Sequence, residues 1–266
     1  MNAPLNHWRE ALQDLGIMGL VPPPTPQAVA QTPEAPPPPP AAPRPTPLPE
    51  PPEPDTSDPA IFPPLERIAS AETLEELESR IKACKACPLG NCRIRFVYGE
   101  GRPGAKLMFI GEGPGRDEDL QGRPFVGRAG ELLDKMIAAL ELQRSEVYIT
   151  NVVKCRPPDN RTPTPAESQR CMPYLKRQIE LVNPAVIVTL GATPLRELTG
   201  VTTGITRSRG RWQTLSMLGG IPLMPTFHPA YVLRQYTQEV RRAVWEDLKA
   251  AKAWIDQHGK PSAGNL

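Results

Sequence analysis

The stretch that decides the fold is Lys106-Leu-Met-Phe-Ile-Gly-Glu-Gly-Pro-Gly-Arg-Asp-Glu-Asp119. Its apolar run from Leu107 to Ile110 has no polar break, which is the pattern of a short buried strand. The glycines and the proline that follow continue neither a strand nor a helix at low cost, so the chain must turn there. Three acidic residues come next. This pattern is typical of an active-site edge in an open α/β sheet, although a tight turn with solvated acids has the same signature.

The rest of the chain alternates between strand-like and helix-like patterns. Apolar runs predict three further central strands and a candidate edge strand, at 147–153, 185–190, 221–227 and 212–215 respectively. Helical spacing of apolar residues predicts helices at 73–82, 127–142, 164–181, 193–198 and 237–257. This alternation predicts an α/β fold with a mostly parallel four-stranded sheet that helices cover on both faces.

Three polar segments end neighbouring strands of this predicted sheet. The acidic turn at 111–119 follows the first strand, Asn151 lies near the end of the second, and His228 ends the fourth. Ligands of open α/β sheets bind beyond the carboxyl ends of the strands. We therefore expect these segments to meet in one active site.

The composition divides the 266-residue chain into four parts. Residues 21–64 are low-complexity sequence in which 18 of the 36 prolines lie between Pro22 and Pro59, which predicts a disordered, extended spacer. Residues 1–20 contain a predicted short helix, 65–259 form the predicted folded domain, and 260–266 form a tail. The short helix carries Trp8 on its apolar face, and it either docks a protein partner or folds back on the domain.

Charge and hydropathy narrow the classes of partner. The net charge is +2, but residues 1–60 carry two basic and seven acidic side chains, so the remainder is basic. A basic folded domain suits a polyanionic partner without requiring one. No apolar run is long enough to span a membrane, and the N-terminus lacks the pattern of a secretory signal. We expect a cytoplasmic monomer without membrane association.

The cysteines suggest a metal centre. The chain has five, an odd number, and two of them form the pair Cys84-x2-Cys87. Cys155 and Cys171 are too far apart to be the second pair of a zinc ribbon, which favours an iron–sulfur cluster over zinc. Cys92 either replaces one of these ligands or is a spare thiol. Free cysteines throughout are the alternative.

Several segments together resemble the family 4 uracil-DNA glycosylases, bacterial and archaeal enzymes that carry a 4Fe–4S cluster. The resemblance runs in order from about Leu74 to Gln257 and does not include the first 60 or so residues. The matching motifs are Cys84-x2-Cys87-Pro-Leu, Gly99-Glu-Gly101, Gly111-Glu-Gly-Pro-Gly115, Gly122-Arg-Pro-Phe-Val-Gly127, Tyr148-Ile-Thr-Asn-Val-Val-Lys-Cys-Arg-Pro-Pro158, Leu190-Gly191 and His228-Pro-Ala-Tyr231. The resemblance implies a three-layer α/β/α sandwich and hydrolysis of the N-glycosidic bond of uracil in DNA, which leaves an abasic site. It also implies that the cluster ligands are Cys84, Cys87, Cys155 and Cys171, with Cys92 outside the set.

The resemblance further assigns the parts of a base pocket. A base must leave the DNA stack before a pocket can read it. Phe125 matches the aromatic platform on which the flipped base stacks. Asn151 matches the amide that pairs with O4 and N3–H of uracil. Glu112 and Gly113 are expected to line the pocket.

The same resemblance assigns the groups that act on the bond. His228 matches the imidazole that donates a hydrogen bond to the developing charge on uracil O2. A carboxylate orients the attacking water, and we expect Glu118 in this role with Asp119 as the competing choice. Asn160 matches an asparagine that positions the acidic turn.

The DNA backbone is expected to contact basic side chains around the pocket. The candidates are Arg156, Arg161, Arg207, Arg209, Arg211 and Arg234. A rival from another class is a catalytically silent, polymerase-associated DNA-binding module that uses these arginines and Trp8. A glycosylase that cross-links to its abasic product through a histidine is disfavoured, because the segment between Cys155 and Cys171 contains no histidine.

Overall fold

The computed structural model describes residues 63–258. The predicted helix within 1–20, nearly all of the spacer at 21–64 and the tail at 260–266 lie outside the described residues. The structural account below therefore concerns the predicted folded domain.

A mixed six-stranded sheet forms the centre of this domain. In chain order its strands are β1 (Glu100–Gly101), β2 (Leu107–Gly111), β3 (Tyr148–Asn151), β4 (Val186–Leu190), β5 (Gln213–Leu215) and β6 (Ile221–Thr226). Their order in space is β1-β3-β2-β4-β6-β5. The four central strands run parallel, and the two edge strands pair antiparallel to their neighbours.

Helices connect the strands. The described α-helices are α1 (Leu65–Ala69), α2 (Leu74–Ile81), α3 (Leu89–Cys92), α4 (Arg116–Gln121), α5 (Arg128–Ala139), α6 (Pro165–Val182), α7 (Ala192–Thr199), α8 (Ile205–Ser208), α9 (Pro229–Arg234) and α10 (Gln238–His258). Short 3₁₀ turns occupy Arg144–Glu146, Pro158–Asn160 and Ser216–Leu218. The capping box predicted before α6 is present, because Thr164 accepts from the Glu167 N–H while Glu167 accepts from the Thr164 N–H.

The helices lie on both faces of the sheet. Side chains of a strand alternate between faces, and β2 follows this rule. Met108 and Ile110 pack in the core that contains α2 and α6, whereas Leu107 and Phe109 pack in the core that contains α5 and α10. The predicted α/β sandwich with helices on both faces is therefore confirmed.

Two features of the prediction need correction. The sheet has six strands rather than four, because β1 and β5 extend it at the edges. The edge strand predicted at 212–215 appears as β5, but β1 is only Glu100–Gly101 and carries no apolar pattern that could predict it. The acidic segment after β2 is helical from Arg116 onward, so its acids stand on α4 rather than in an open turn.

The turn between β2 and α4 is attached to the end of β3. The Val152 N–H donates to the Gly111 carbonyl at 2.9 Å, and the Val153 N–H donates to the Glu112 carbonyl at 3.2 Å. Backbone pairing thus continues beyond both strands and fixes this turn at the carboxyl edge of the sheet.

Among residues 63–258, no helix combines the length and the apolar character needed to cross a bilayer.

Candidate active site and cysteine centre

A cavity of about 570 Å³ opens at the carboxyl ends of the central strands. The residues predicted for the site that line it are Glu112, Gly113, Glu118, Phe125, Asn151, Asn160, Arg161, His228 and Arg234. They come from four separate stretches of chain, and the parallel sheet brings these stretches to one edge. A cleft at this edge is the usual ligand site of such a fold.

Gly111 allows two of these residues to approach each other. A Cβ atom at this position would lie 2.3 Å from Asn151 Oδ1 and 2.6 Å from Phe125 Cζ. Both distances are far below van der Waals contact, so only glycine fits between the amide and the ring. The absence of a side chain at Gly111 therefore allows the Asn151 amide to lie close to the Phe125 ring.

Asn151 presents an unused acceptor in this place. The residue is 2% exposed, and its Oδ1 has no hydrogen-bond partner among the described residues. Buried polar atoms are normally paired, so an orphaned one indicates a missing ligand or solvent molecule. Its backbone carbonyl accepts from the Lys154 Nζ at 2.7 Å, and the same ammonium donates to Thr150 Oγ1 at 2.6 Å. Lys154 thus holds the end of β3 from inside the core.

Lys154 is a buried cation that sequence reasoning did not single out. Its side chain is fully buried, and this burial lowers the pKa of the ammonium to about 7, against the opposing effect of nearby Cys171 and Cys155. Its position next to Cys155 in the quoted motif is the one sequence signal that could have drawn attention to it.

His228 is the N-cap of α9, and its Nδ1 accepts from the Ala230 N–H at 3.0 Å. A ring nitrogen that accepts carries no proton, so the neutral imidazole has its proton on Nε2. Burial, together with the charge of Arg234, lowers the pKa of His228 to about 4. The ring centroid of His228 lies 5.6 Å from that of Phe125. The other histidine among the described residues is His258, which is exposed at the end of α10. The cavity therefore holds a neutral imidazole with one N–H to donate.

The two acids proposed for the water have different surroundings. Glu118 lines the cavity, where Oε1 accepts from the Val126 and Gly127 N–H groups at 3.0 and 3.2 Å. Its Oε2 accepts from the Gly115 N–H at 3.0 Å. A carboxylate has about four acceptor sites, so Glu118 is fixed in place and retains capacity for one further donor.

The structure does not place Asp119 in the cavity, although it was the competing choice for the carboxylate that orients the water. The residue is 2% exposed, it does not line the cavity, and its Oδ1 accepts from the Ile94 and Arg95 N–H groups at 2.9 and 3.2 Å. Consecutive residues of a helix point in different directions. Asp119 therefore anchors the segment before β1, and only Glu118 faces the site.

Glu112 also has a partner that the sequence did not reveal. Its Oε2 accepts from the Thr193 hydroxyl at 2.5 Å. Thr193 lies in the first turn of α7, directly after β4. This contact links the turn after β2 to the end of the neighbouring strand and orients the Glu112 carboxylate in the cavity wall.

Hydrogen bonds and an ion pair between its own side chains, and with the first turn of α6, hold the loop between Cys155 and α6. Arg161 forms a bidentate ion pair with Glu167, with N–O distances of 2.7 and 2.8 Å, although it lines the cavity. Arg156 Nε donates to Asn160 Oδ1 at 2.7 Å. Asn160 was expected to position the acidic turn, but the contact its side chain makes is with Arg156. It lines the cavity from a left-handed backbone conformation with φ of 54°.

Arg209, predicted to contact DNA, instead forms an ion pair inside the domain. Its guanidinium pairs with buried Asp247, at 3.0 Å from Nε to Oδ2 and 2.5 Å from Nη2 to Oδ1. Thr226 Oγ1 donates to the same carboxylate at 2.7 Å, so this pair braces the end of β6 just before His228. Arg207, Arg211 and Arg234 are exposed and have no ion-pair partner among the described residues.

Four of the five cysteines are buried in one apolar core, and Cys92 is exposed. Tyr174 Oη and the Ala86 N–H donate to Cys84 Sγ at 3.0 and 3.3 Å. Arg93 Nη1 donates to Cys155 Sγ at 3.0 Å. Donors directed at sulfur are typical of the surroundings of metal-bound thiolates.

The ionisation of these thiols reflects both their burial and their proximity. Burial raises the pKa of Cys155 to about 12, and nearby Cys87 and Cys84 raise it further while Arg93 opposes the increase. Burial likewise raises the pKa of Cys171 and of Cys87. Within residues 63–258, no three His, Cys, Asp or Glu side chains converge closely enough to hold a single metal ion. Iron–sulfur clusters are held by cysteine thiolates, so four buried cysteines in one core are a chemically suitable donor set for one.

Comparison with known proteins gives consistent matches across this region. The family model of the Uracil DNA glycosylase superfamily matches residues 98–249, more than half of the chain. The type-4 uracil-DNA glycosylase of Thermotoga maritima is 49% identical over 189 residues, which are 71% of this chain and 97% of that relative. The type-4 enzyme of Archaeoglobus fulgidus is 42% identical over 183 residues, with coverage of 67% and 91%. A type-5 uracil-DNA glycosylase of Mycobacterium leprae is 28% identical over 216 residues, with coverage of 67% and 93%.

Proposed function

The chain belongs to the uracil DNA glycosylase superfamily, and from this premise we propose that it removes uracil from DNA by hydrolysing the N-glycosidic bond. The observation that carries the proposal is the buried, unpartnered Oδ1 of Asn151 beside Phe125 in the cavity wall. A flat base with adjacent donor and acceptor groups is the ligand that such a slot suits.

Recognition of uracil follows from the amide and the ring. Asn151 Oδ1 would accept from N3–H, and its Nδ2 would donate to O4. Cytosine has the opposite pattern at these two positions, so the same amide would reject it. Phe125 supplies the stacking surface that holds the flipped base against the amide.

Cleavage follows from the neutral imidazole and the fixed carboxylate. Water adds to C1′ as the bond to N1 breaks, and the bonding electrons leave with uracil, chiefly toward O2. His228 Nε2–H would donate to that oxygen. Glu118, held by three backbone N–H groups, would accept a hydrogen bond and then a proton from the attacking water with its remaining site and stabilise the cationic sugar, and that proton would pass through solvent to the uracil anion. Arg207, Arg211, Arg234 and Arg156 are the arginines that we propose for the DNA backbone.

We propose that the four buried cysteines hold a 4Fe–4S cluster. When bound, the cluster would supply a structural cross-link between the Cys84–Cys87 segment, the end of β3 and helix α6. Cys155 and Cys171 flank the loop that carries Asn160 and Arg161 in the cavity wall, so the cluster would fix both ends of that loop. Arg93 and Tyr174 would remain as hydrogen-bond donors to its sulfur ligands.

Replacement of Cys155 tests this assignment. The purified wild-type protein should be brown, and Cys155→Ala should lose this visible absorbance, because an iron–sulfur cluster needs all four thiolates of its set. The matched control is Cys92→Ser, since Cys92 is exposed and should leave absorbance and iron content unchanged. Absorption spectra and iron analysis of both variants decide the matter, and an unaltered spectrum in Cys155→Ala would remove Cys155 from the ligand set.

The activity itself is tested with the wild-type protein. An oligonucleotide containing one uracil should be cut at that position after treatment with the protein and then alkali, whereas thymine- and cytosine-containing controls stay intact. The rival function, a silent DNA-binding module, predicts binding of the same oligonucleotide without scission. Retention of Asn151, His228 and Glu118 in one cavity favours the enzyme.

The oligomeric state, the cellular location and the N-terminal segment are also part of the proposal. We propose that the enzyme acts as a monomer in the cytoplasm, and that the predicted helix within residues 1–20 contacts a protein partner. The composition of the first 64 residues supports a tethered partner-binding segment.

A further inference from the structure

The aromatic platform has an unusual backbone. Phe125 adopts φ of 50°, in the left-handed region that bulky residues seldom occupy, and yet its side chain is only 5% exposed. Such a conformation persists only where neighbouring groups determine it. The surroundings of residues 124–127 should therefore reveal what holds the ring in place.

One side of this segment is held by contacts already described. The Val126 and Gly127 N–H groups donate to Glu118 Oε1. The first turn of α5 packs directly on Phe125, where a Cβ at Gly130 would lie 1.9 Å from the Phe125 carbonyl oxygen. These contacts restrain the peptides after the ring, but they leave the carbonyl groups of Pro124 and Phe125 to another partner.

That partner is Arg144, in the 3₁₀ turn before β3. Its Nη2 donates to the Pro124 carbonyl at 2.5 Å, and its Nη1 donates to the Phe125 carbonyl at 3.3 Å. The guanidinium is itself held by Asp134 at 2.7 Å and by Glu100 at 3.3 Å. A planar fork with five donors can satisfy two carbonyls and two carboxylates at once, which a lysine cannot do.

The carboxylates that orient Arg144 are not equivalent. Glu100 also accepts two hydrogen bonds from Arg123, at 2.9 and 2.8 Å. Burial alone would raise the pKa of Glu100, but the hydrogen bonds from Arg123 and Arg144 hold it below its ordinary value, so this carboxylate is charged at neutral pH. Arg123 is more exposed than Arg144, 57% against 18%, and among the described residues its side-chain hydrogen bonds go to Glu100 rather than to residues 124–127.

We propose that Arg144, oriented by Glu100 and Asp134, is a positioning residue that holds Phe125 in its left-handed conformation and so sets the plane of the base-stacking ring. The inference rests on the proposed function, because it assigns a partner to the platform of that same site. Arg144 does not line the cavity, so its influence passes through Phe125.

Arg144→Gln is the variant that tests the inference, and Arg123→Gln is its matched control. Each variant removes one arginine that donates to Glu100. Only Arg144→Gln also removes the donors to the Pro124 and Phe125 carbonyl groups. Arg144→Gln should lower the single-turnover rate of uracil excision by about 30-fold, since small misplacements in an active site cost up to about 10²-fold. Inhibition by free uracil should weaken to a similar extent, and Arg123→Gln should stay within about twofold of wild type in both measurements.

A double-mutant cycle separates positioning from a general loss of structure. In a Phe125→Ala background, Arg144→Gln should have little further effect on excision, because the group through which it acts is absent. Equal effects of Arg144→Gln in the presence and absence of the ring would overturn the inference. If Arg144→Gln does not fold, Asp134→Asn loosens the same guanidinium and should give a smaller decrease of the same kind, again only when Phe125 is present.

The wild-type control keeps the two hypotheses distinguishable. A wild-type protein that does not cut uracil-containing DNA would overturn the proposed function and the inference with it. An active wild type with an Arg144→Gln variant that matches Arg123→Gln would overturn the inference alone.

Discussion

Asn151→Asp is expected to reduce uracil excision by about 10³-fold or more, because sites built on buried hydrogen bonds discriminate strongly against a missing partner. The change preserves the shape of the side chain but removes the Nδ2 donor that we propose for uracil O4. It also places a carboxylate where the side chain is 2% exposed and where the existing Oδ1 already has no partner among the described residues. Cleavage rates on uracil- and cytosine-containing oligonucleotides measure both the loss and any transfer of preference to cytosine.

A matched amide-to-acid change controls for the new charge. Asn183 is exposed at the end of α6, far along the chain from the cavity, and ends that helix in a left-handed conformation. Asn183→Asp should leave excision within about twofold of wild type. Uracil excision by Asn151→Asp at the wild-type rate would exclude Asn151 from base recognition.

His228→Gln is expected to lower the rate of the chemical step by about 10²- to 10³-fold, the usual effect of removing one oxyanion donor. Binding of uracil-containing DNA should change much less, because the donor acts on charge that develops during cleavage. The control is His258→Gln at the exposed end of α10, which should retain wild-type activity. Single-turnover rates at saturating enzyme separate the two effects, and a wild-type rate for His228→Gln would remove His228 from the mechanism.

The same residue predicts a direction of pH dependence. The folded-state pKa of His228, about 4, lies below the unfolded value of about 6.5, so the unfolded chain binds a proton more readily between these values. The contribution of His228 to stability is therefore complete above pH 6.5 and is lost as the pH falls toward 4. The excision rate should show no inflection from this imidazole between pH 6 and 8.

Strands β2 and β4 could be predicted because each is a short, largely apolar run that is buried at every residue. The edge strand β1 could not, because the two residues Glu100 and Gly101 carry no such pattern and take their conformation from pairing with β3. The five longer helices followed from apolar spacing, whereas the short helices α1, α3, α4, α8 and α9 were not predicted. Their ends agreed with the structure to within a few residues, as at α6, where the capping box marks the start.

The sequence alone did not show which of several adjacent residues of the same type belongs to the site. Glu118 and Asp119 are adjacent acids, and only the helical direction of α4 shows that one faces the cavity while the other anchors the segment before β1. Arg207, Arg209 and Arg211 likewise look alike in sequence, and it is the tertiary position of Asp247 that takes Arg209 out of the exposed set. Thr193 and Arg144 act on residues more than ten positions away, so no local pattern could reveal them.

The glycine at the end of β2 has a consequence for how this pocket can change in evolution or by engineering. A side chain at position 111 would clash with both the Asn151 amide and the Phe125 ring. A substitution there would therefore displace both groups together and could not alter one of them alone. New base preferences must therefore arise elsewhere in the wall. The Glu112–Thr193 contact offers such a place, since its two members lie on separate elements, the turn after β2 and the first turn of α7, and can be varied one at a time.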